Sequence, residues 1–198
     1  MLPPVRVAGV DEAGRGCWAG PVVAAAFVFA SRTSWPSGLN DSKRLSRPMR
    51  VRLYAELVGW PGAVWAVGWA SAEEIDRLNI LGATALAMRR ALEGLGEVEV
   101  MPLVDGRPIR ALGREHRALV GGDGKSPSVA AASVLAKETR DRMMEAAEEE
   151  FPGYGFAQHK GYGTARHQAG LDRLGPCPLH RRTFAPVREA GLPGFFLD

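Results

Sequence analysis

The longest uninterrupted apolar run in the chain, Val22 to Ala30, is nine residues, well short of the roughly 20 that a membrane-crossing helix needs. It reads instead as a buried strand. Before it, Val5 to Val10 is short, apolar and β-branched, and Gly14, Gly16 and Gly20 punctuate the stretch between the two runs. The pattern therefore predicts an antiparallel hairpin, with Asp11 to Pro21 as its connection.

Helical and strand signals then alternate. Ser46 is the expected N-cap of a helix to about Leu57, and Val64 to Trp69 reads as a third strand. Ser71 with Glu74 three positions on has the pattern of a capping box. Ile80 to Leu95 is rich in Ala, Leu, Met and Arg and ends at a glycine, which predicts a helix. Val98 to Val104 is a strand that delivers Asp105, and Leu119-Val120 is a short apolar step before Gly121-Gly122-Asp123-Gly124. Ser128 to about Glu150 is the longest helix, and another is expected over Ala165 to Leu174. Strands that meander and then alternate with helices predict an α/β fold, a mixed sheet with helices on its faces.

At 198 residues the chain makes one domain without staples. Its 46% hydrophobic and 24% charged content is that of an ordinary soluble protein and excludes disordered, collagen-like and coiled-coil character. Cys17 and Cys177 stand far apart with no second pair, which excludes a disulfide scaffold or a zinc ribbon. Two free thiols, with neither a secretory signal nor a membrane segment in view, lead us to expect a cytoplasmic protein.

The chemistry concentrates in carboxylates. Asp11 and Glu12 follow the first strand, and both can reach one site only if that strand ends there, because successive strand residues face opposite ways. Alone, the pair reads as a solvated acidic turn. Asp105 and Asp123, however, also end apolar steps, and strand ends are where an open α/β sheet gathers a site. Such a cluster needs cations, and all-oxygen donors indicate Mg²⁺ or Mn²⁺ rather than Zn²⁺. Ser133, Lys137 and Asp141 share one helix face, where Asp141 is a conceivable fifth carboxylate or the partner of Lys137. Gly14-Arg15-Gly16 lacks the spacing of a dinucleotide loop. It is either a plain turn or a place where main chain and a planar donor approach a ligand.

The segment Val10-Asp11-Glu12-Ala13-Gly14-Arg15-Gly16 resembles the signature of ribonuclease HII, the type 2 ribonuclease H. The likeness continues through Asn40-Asp41-Ser42-Lys43-Arg44-Leu45, Val104-Asp105-Gly106, Gly122-Asp123, Ala130 to Lys137 and Arg140-Asp141-Arg142. It then takes in Tyr154-Gly155-Phe156, His159 to Thr164 and His180 to Phe184, so that it spans about residues 5 to 187. One departure is Gly121, where a lysine often precedes the Gly-Asp pair.

The resemblance implies a ribonuclease H-like fold with a central mixed five-stranded sheet flanked by helices. Residues 1–150 would form the catalytic domain, and 151–198 a basic C-terminal helical extension packed on it. It implies a metal-dependent endonuclease that cuts the RNA strand of RNA–DNA hybrids and cuts at ribonucleotides embedded in duplex DNA. Two divalent ions, Mn²⁺ or Mg²⁺, would be held by Asp11, Glu12, Asp105 and Asp123, and the products would carry 5′-phosphate and 3′-hydroxyl ends. Gly14, Arg15 and Gly16 map onto the loop that reads the ribose 2′-hydroxyl, and Tyr162 onto the tyrosine that senses an RNA–DNA junction.

Net charge is only +3, but from Gln158 to Arg188 six cations stand against Asp172 alone. Lys160, Arg181 and Arg182 of that segment, with Lys43, are expected to grip duplex phosphates, unless the tail is simply a solvated basic stretch. Trp35, Trp60, Trp65 and Trp69 are expected to be structural. A monomer is expected, and Phe195-Phe196-Leu197 is either a short motif for a partner such as a sliding clamp or an apolar plug. The rival readings are a catalytically silent nucleic-acid binding module, which would have lost a carboxylate, and a different two-metal nuclease or recombinase on the same scaffold, where another nuclease would lack the Gly-Arg-Gly and Gly-Tyr-Gly elements.

Overall fold

A computed structural model describes residues 6–31 and 33–190. The Phe195-Phe196-Leu197 motif lies outside the described residues. Five strands, β1 (Arg6–Ala13), β2 (Val22–Val28), β3 (Val64–Ala70), β4 (Val100–Asp105) and β5 (Arg117–Leu119), form one sheet in the order β3-β2-β1-β4-β5. β2 is antiparallel to both neighbours, whereas β4 is parallel to β1 and to β5. The mixed α/β sheet expected from the sequence is present.

All seven residues of β2 are buried, which is why its sequence carries no polar face. On one side of the sheet, Ala8, Val10, Ala24, Ala26 and Val104 pack against α2 (Ala72–Glu93). On the other, Ala25 and Phe27 pack against α1 (Arg47–Val58) and α3 (Pro127–Glu150). α3 lies so close to β1 that a Cβ on Gly9 would sit 2.1 Å from the Ser128 carbonyl carbon.

The helix expected from Ile80 is the second segment of a longer α2. Asn79 leaves helical geometry (φ 57°, ψ 170°), and its side-chain oxygen accepts from the amides of Leu81 and Gly82 at 2.9 and 3.1 Å. Upstream of this break, the predicted capping box of Ser71 and Glu74 is formed. Trp60 and Trp65 pack beside α1 as expected. Trp35 and Trp69 do not serve as core, being 44% and 51% exposed.

The C-terminal part carries three short helices, α4 (Phe156–His159), α5 (Ala165–Leu174) and α6 (Ala185–Ala190). It is laced to the β1–β2 connection: the Trp18 amide donates to the Gly161 carbonyl at 2.8 Å, and the Arg181 amide to the Trp18 carbonyl at 2.9 Å. Cys17 and Cys177 are buried free thiols. No helix among the described residues is long and apolar enough to cross a membrane.

Candidate active site

Parallel pairing of β1 and β4 aligns Val10 with Val104. The next residue on each strand is therefore Asp11 and Asp105, side by side on the face toward α3. Asp123 reaches the same point from the 3₁₀ turn Gly122–Gly124, just after β5. One carboxylate oxygen from each of the three aspartates lies within 4.8 Å of the others. The Gly122 amide donates to Asp105 Oδ1 at 2.7 Å, the Glu12 amide to Asp11 Oδ1 at 2.8 Å and the Gly124 amide to Asp123 Oδ1 at 2.9 Å, so a main-chain donor orients each of the three.

Electrostatics show what this cluster favours. Burial, reinforced by the charges of Glu12 and Asp105, pushes Asp11 well above the usual carboxylate range, against hydrogen bonds from the Glu12 amide and Ser133. Asp123 is raised by burial, then by Asp105 and Asp41. Converging, partly desolvated carboxylates are the all-oxygen donor set that hard divalent ions take. The chemistry of the donors therefore fits Mg²⁺ or Mn²⁺.

Glu12 stands outside this triad, and the reason is the strand. β1 does not end at Val10 but continues through Ala13, paired with Val23 of β2, so Glu12 leaves the strand on the opposite side from Asp11 and borders the same groove without joining the 4.8 Å cluster. Glu12 Oε1 is 3.1 Å from Arg15 Nη1. Burial raises the Glu12 carboxyl above its ordinary value, while Arg15 opposes the rise. Asp141 is not a fifth member: it is 2.6 Å from Lys137 and 3.3 Å from Arg50, the intrahelical pairing being the correct alternative.

An open groove of about 470 Å³ runs beside the triad, lined by Asp11, Glu12, Gly14, Arg15, Gly16, Lys43 and Tyr162 among others. Segments far apart in sequence meet here for definable reasons. The Ser42 amide and hydroxyl are hydrogen-bonded to the Ser133 hydroxyl of α3 at 3.3 and 2.6 Å, which seats Lys43 at the groove. Gly14 has φ +96°, and a Cβ there would lie 2.0 Å from Arg140 Nε. Gly16 meets nothing within 4 Å, so it is the glycine that leaves room for a ligand to approach. Tyr162 is 45% exposed, and its hydroxyl end lies against the Cys17 thiol.

Two tail residues expected at duplex phosphates are placed elsewhere. Arg181 is fully buried and donates to the carbonyls of Gly14, Arg15 and Gly20 at 2.6–3.1 Å. It braces the glycine loop from behind instead of facing solvent. Lys160 is also buried, 2.9 Å from Glu145 Oε1 and hydrogen-bonded to the Ala157 carbonyl. Arg182 keeps an exposed side chain while its amide donates to Asp76 at 2.9 Å. Gly121, the departure from the expected lysine, adopts φ +67°, and Lys125 Nζ lies 3.8 Å from where its side chain would begin.

Several contributors carry no mark in the sequence. Arg140, fully buried, donates to the carbonyls of Pro21, Lys160 and Ala19 and so clamps both loops of the groove. It lies inside the Arg140-Asp141-Arg142 motif, but nothing in the local pattern singles it out as interior. Trp18 packs so tightly on Gly163 that a Cβ there would approach its ring to 2.1 Å. Behind Tyr162, His167 Nδ1 is 3.0 Å from the Tyr162 carbonyl, and its Nε2 is 3.0 Å from His180 Nε2.

The family model for ribonuclease HII matches residues 8–187. The chain belongs to the ribonuclease HII family. A ribonuclease HII from Parvibaculum lavamentivorans is 54% identical over 193 residues, covering 97% of this chain and 71% of that one. Among solved structures, ribonuclease H2 from Pyrococcus horikoshii superposes with a TM-score of 0.78 at 28% identity, covering 94% of this chain and 97% of the other. Ribonuclease HII of Archaeoglobus fulgidus, solved in a complex with PCNA, gives 0.76 at 26% identity, covering 91% and 95%. The resemblance seen in the sequence therefore holds for family and fold, and the protein is a metal-dependent endoribonuclease of the ribonuclease H class. For a ribonuclease HII, the aspartate triad and the adjoining groove are the natural place for that chemistry.

Proposed function

We propose that the chain hydrolyses the RNA strand of RNA–DNA hybrids and cleaves at ribonucleotides embedded in duplex DNA, leaving 5′-phosphate and 3′-hydroxyl ends. The observation that carries this reading is the convergence of Asp11, Asp105 and Asp123 within 4.8 Å beside a groove that holds Gly14, Arg15, Gly16 and Tyr162 together.

Asp11, Asp105 and Asp123, with Glu12 completing the set, would hold two divalent ions, Mn²⁺ or Mg²⁺. When bound, these supply Lewis-acid stabilisation of the charge that builds on the phosphate oxygens. The chain's own residues supply selectivity. Main-chain groups at Gly14 to Gly16 bond to the 2′-hydroxyl, the group that separates RNA from DNA. Arg15 offers a planar donor to phosphate, and Lys43 a point charge from the facing segment. The exposed Tyr162 ring lies against the deoxyribose just 3′ of the ribonucleotide, which favours an RNA–DNA junction.

Arg182 adds a solvent-facing charge for the duplex, while Arg181 and Lys160 act by holding the loops. Since one chain supplies every group named, it works as a monomer. A contact with a sliding clamp, prompted by the PCNA complex of the Archaeoglobus relative, would be an added partner and not part of the site. The deciding experiment incubates the protein with a DNA duplex carrying one ribonucleotide, with and without Mg²⁺ or Mn²⁺. Metal-dependent cutting at the ribonucleotide is expected, and an uncut duplex in every metal sinks the proposal.

A further inference from the structure

A second groove, about 730 Å³, opens on the far side of Glu12 and Arg15. It shares those two residues with the groove that holds Tyr162, and it has Asp105 of the triad in its wall. Tyr162 does not reach it. Its outer wall is the connection between β4 and β5, from which Arg107 and Arg110 line the cavity.

That connection is strongly basic. Between Gly106 and Arg117 it carries Arg107, Arg110, Arg114 and Arg117 against Glu115 alone. All four arginines are exposed. Among the described residues, none of the four makes an ion pair. The tail offers a contrast, since Lys160 is paired with Glu145, Arg181 is buried, and Arg173 is spent on the Gly153 carbonyl at 3.0 Å.

The segment is also held in place. The Ile109 amide donates to His116 Nε2 at 3.0 Å, Arg89 of α2 donates to the Ala111 carbonyl at 3.1 Å, and the Gly106 amide donates to the Leu119 carbonyl at 3.0 Å. Two apolar side chains flank the same cavity, Leu81 at 63% and Val120 at 67% exposure. Charged donors without protein partners, fixed beside exposed apolar groups, match a polymer that alternates phosphate with sugar.

Resting on the hybrid-cleaving reading, we infer that this second groove carries the substrate strand on the 5′ side of the ribonucleotide, with Arg107 and Arg110 taking its backbone phosphates. The direction comes from order along the strand. If Tyr162 meets the nucleotide 3′ of the ribonucleotide and Gly14 to Gly16 meet the ribonucleotide itself, a groove across Arg15 from Tyr162 receives what lies on the 5′ side. Leu81 and Val120 then lie against sugar faces.

The test uses the full chain and the double substitution R107A/R110A, checked for an unchanged melting temperature. Substrates are a DNA duplex with one ribonucleotide and two shortened forms, one trimmed on the 5′ flank and one on the 3′ flank. Binding is read by fluorescence anisotropy without metal, and KM and kcat are read with Mg²⁺. On the full duplex the variant should bind roughly three- to thirty-fold more weakly, the effect of two exposed ion pairs. KM should rise more than kcat falls. The slope of log affinity against log salt should flatten by about two charges' worth, near 1.8 for B-DNA.

On the 5′-trimmed duplex the difference from the parent protein should disappear, while on the 3′-trimmed duplex it should persist. A variant that matches the parent on every substrate and at every salt concentration overturns the inference, and so does a defect that survives 5′ trimming. If the parent protein leaves the full duplex uncut in every metal, the underlying reading fails instead. The two failures are therefore distinct.

Discussion

His167 and His180 meet nitrogen to nitrogen, Nε2 to Nε2 at 3.0 Å, and their other partners admit only one arrangement of protons. His167 Nδ1 faces the Tyr162 carbonyl, so it carries a hydrogen and its Nε2 accepts. His180 Nδ1 accepts from the Cys177 amide at 3.0 Å, so its Nε2 carries the hydrogen. A neutral chain thus runs from Cys177 through both rings to the main chain of Tyr162. A proton added to either ring would set two N–H groups head to head or leave a donor without an acceptor. Burial depresses both histidines to about 4, and the neighbouring His159 ring, stacked 4.5 Å from His167, opposes their protonation too, as does Arg182 beside His180.

The pH dependence has a definite sign. The two histidines titrate near 6.5 when unfolded and near 4 when folded, so their share of stability is complete above about pH 6.5. It is lost as pH falls from there toward 4, because only the unfolded chain takes up protons in that window. The limiting slope is about 1.4 kcal/mol per pH unit for each histidine. Thermal denaturation between pH 8 and 4.5 should show the melting temperature falling below pH 6.5. His180→Gln should start less stable and show a shallower fall; an unaltered profile would count against the coupled pair.

Asp105→Asn keeps the shape of a side chain that accepts from the Gly122 amide while removing one charge from the triad. Cleavage should drop by roughly a hundredfold or more, several kcal/mol of lost metal-assisted stabilisation, with duplex binding retained. Single-turnover rates and anisotropy measured side by side check this. Normal turnover would remove Asp105 from the metal site.

Tyr162→Ala deletes the exposed ring without touching the carboxylates. Turnover on a single embedded ribonucleotide should fall more than turnover on an all-RNA hybrid strand. Equal losses on the two substrates would leave Tyr162 without a junction role.

Arg181→Met leaves the carbonyls of Gly14, Arg15 and Gly20 without their shared donor. Denaturant unfolding should show a loss of roughly 2–4 kcal/mol, since hydrogen bonds to a charged group are among the stronger ones. A variant as stable as the parent would mean that the loop holds itself.

Much of this architecture is legible in the sequence because it is written locally. The strand of β2, the capping box at Ser71 and the helix over Ala165–Leu174 come from short-range pattern, and the carboxylates stand at the ends of apolar steps. What misleads is also local. Nothing before Ala13 signals that β1 pairs with β2 for three residues beyond Val10, so the predicted end of the strand falls too early. The basic tail suggests phosphate contacts, but an arginine's sequence position does not say whether its guanidinium meets solvent or three buried carbonyls. Arg140 and Arg181 look like surface charges until the loops they hold are folded around them. The arginines of the β4–β5 connection are spread among apolar residues, and their common exposure beside Asp105 exists only in three dimensions.

The parallel alignment of Val10 with Val104 makes the aspartate triad a gauge of folding fidelity. If β4 slipped by one residue, parity would send Asp105 to the opposite face of the sheet. A slip of two would restore the face but shift the carboxylate by about 6.6 Å along the strand, beyond the reach of Asp11 and Asp123. Either slip would take the Asp105 carboxylate out of the cluster, and the one-residue slip would also carry it to the side of the sheet where Val104 packs. If the triad holds the divalent ions as proposed, metal uptake in a preparation reports the share of molecules whose sheet is in register.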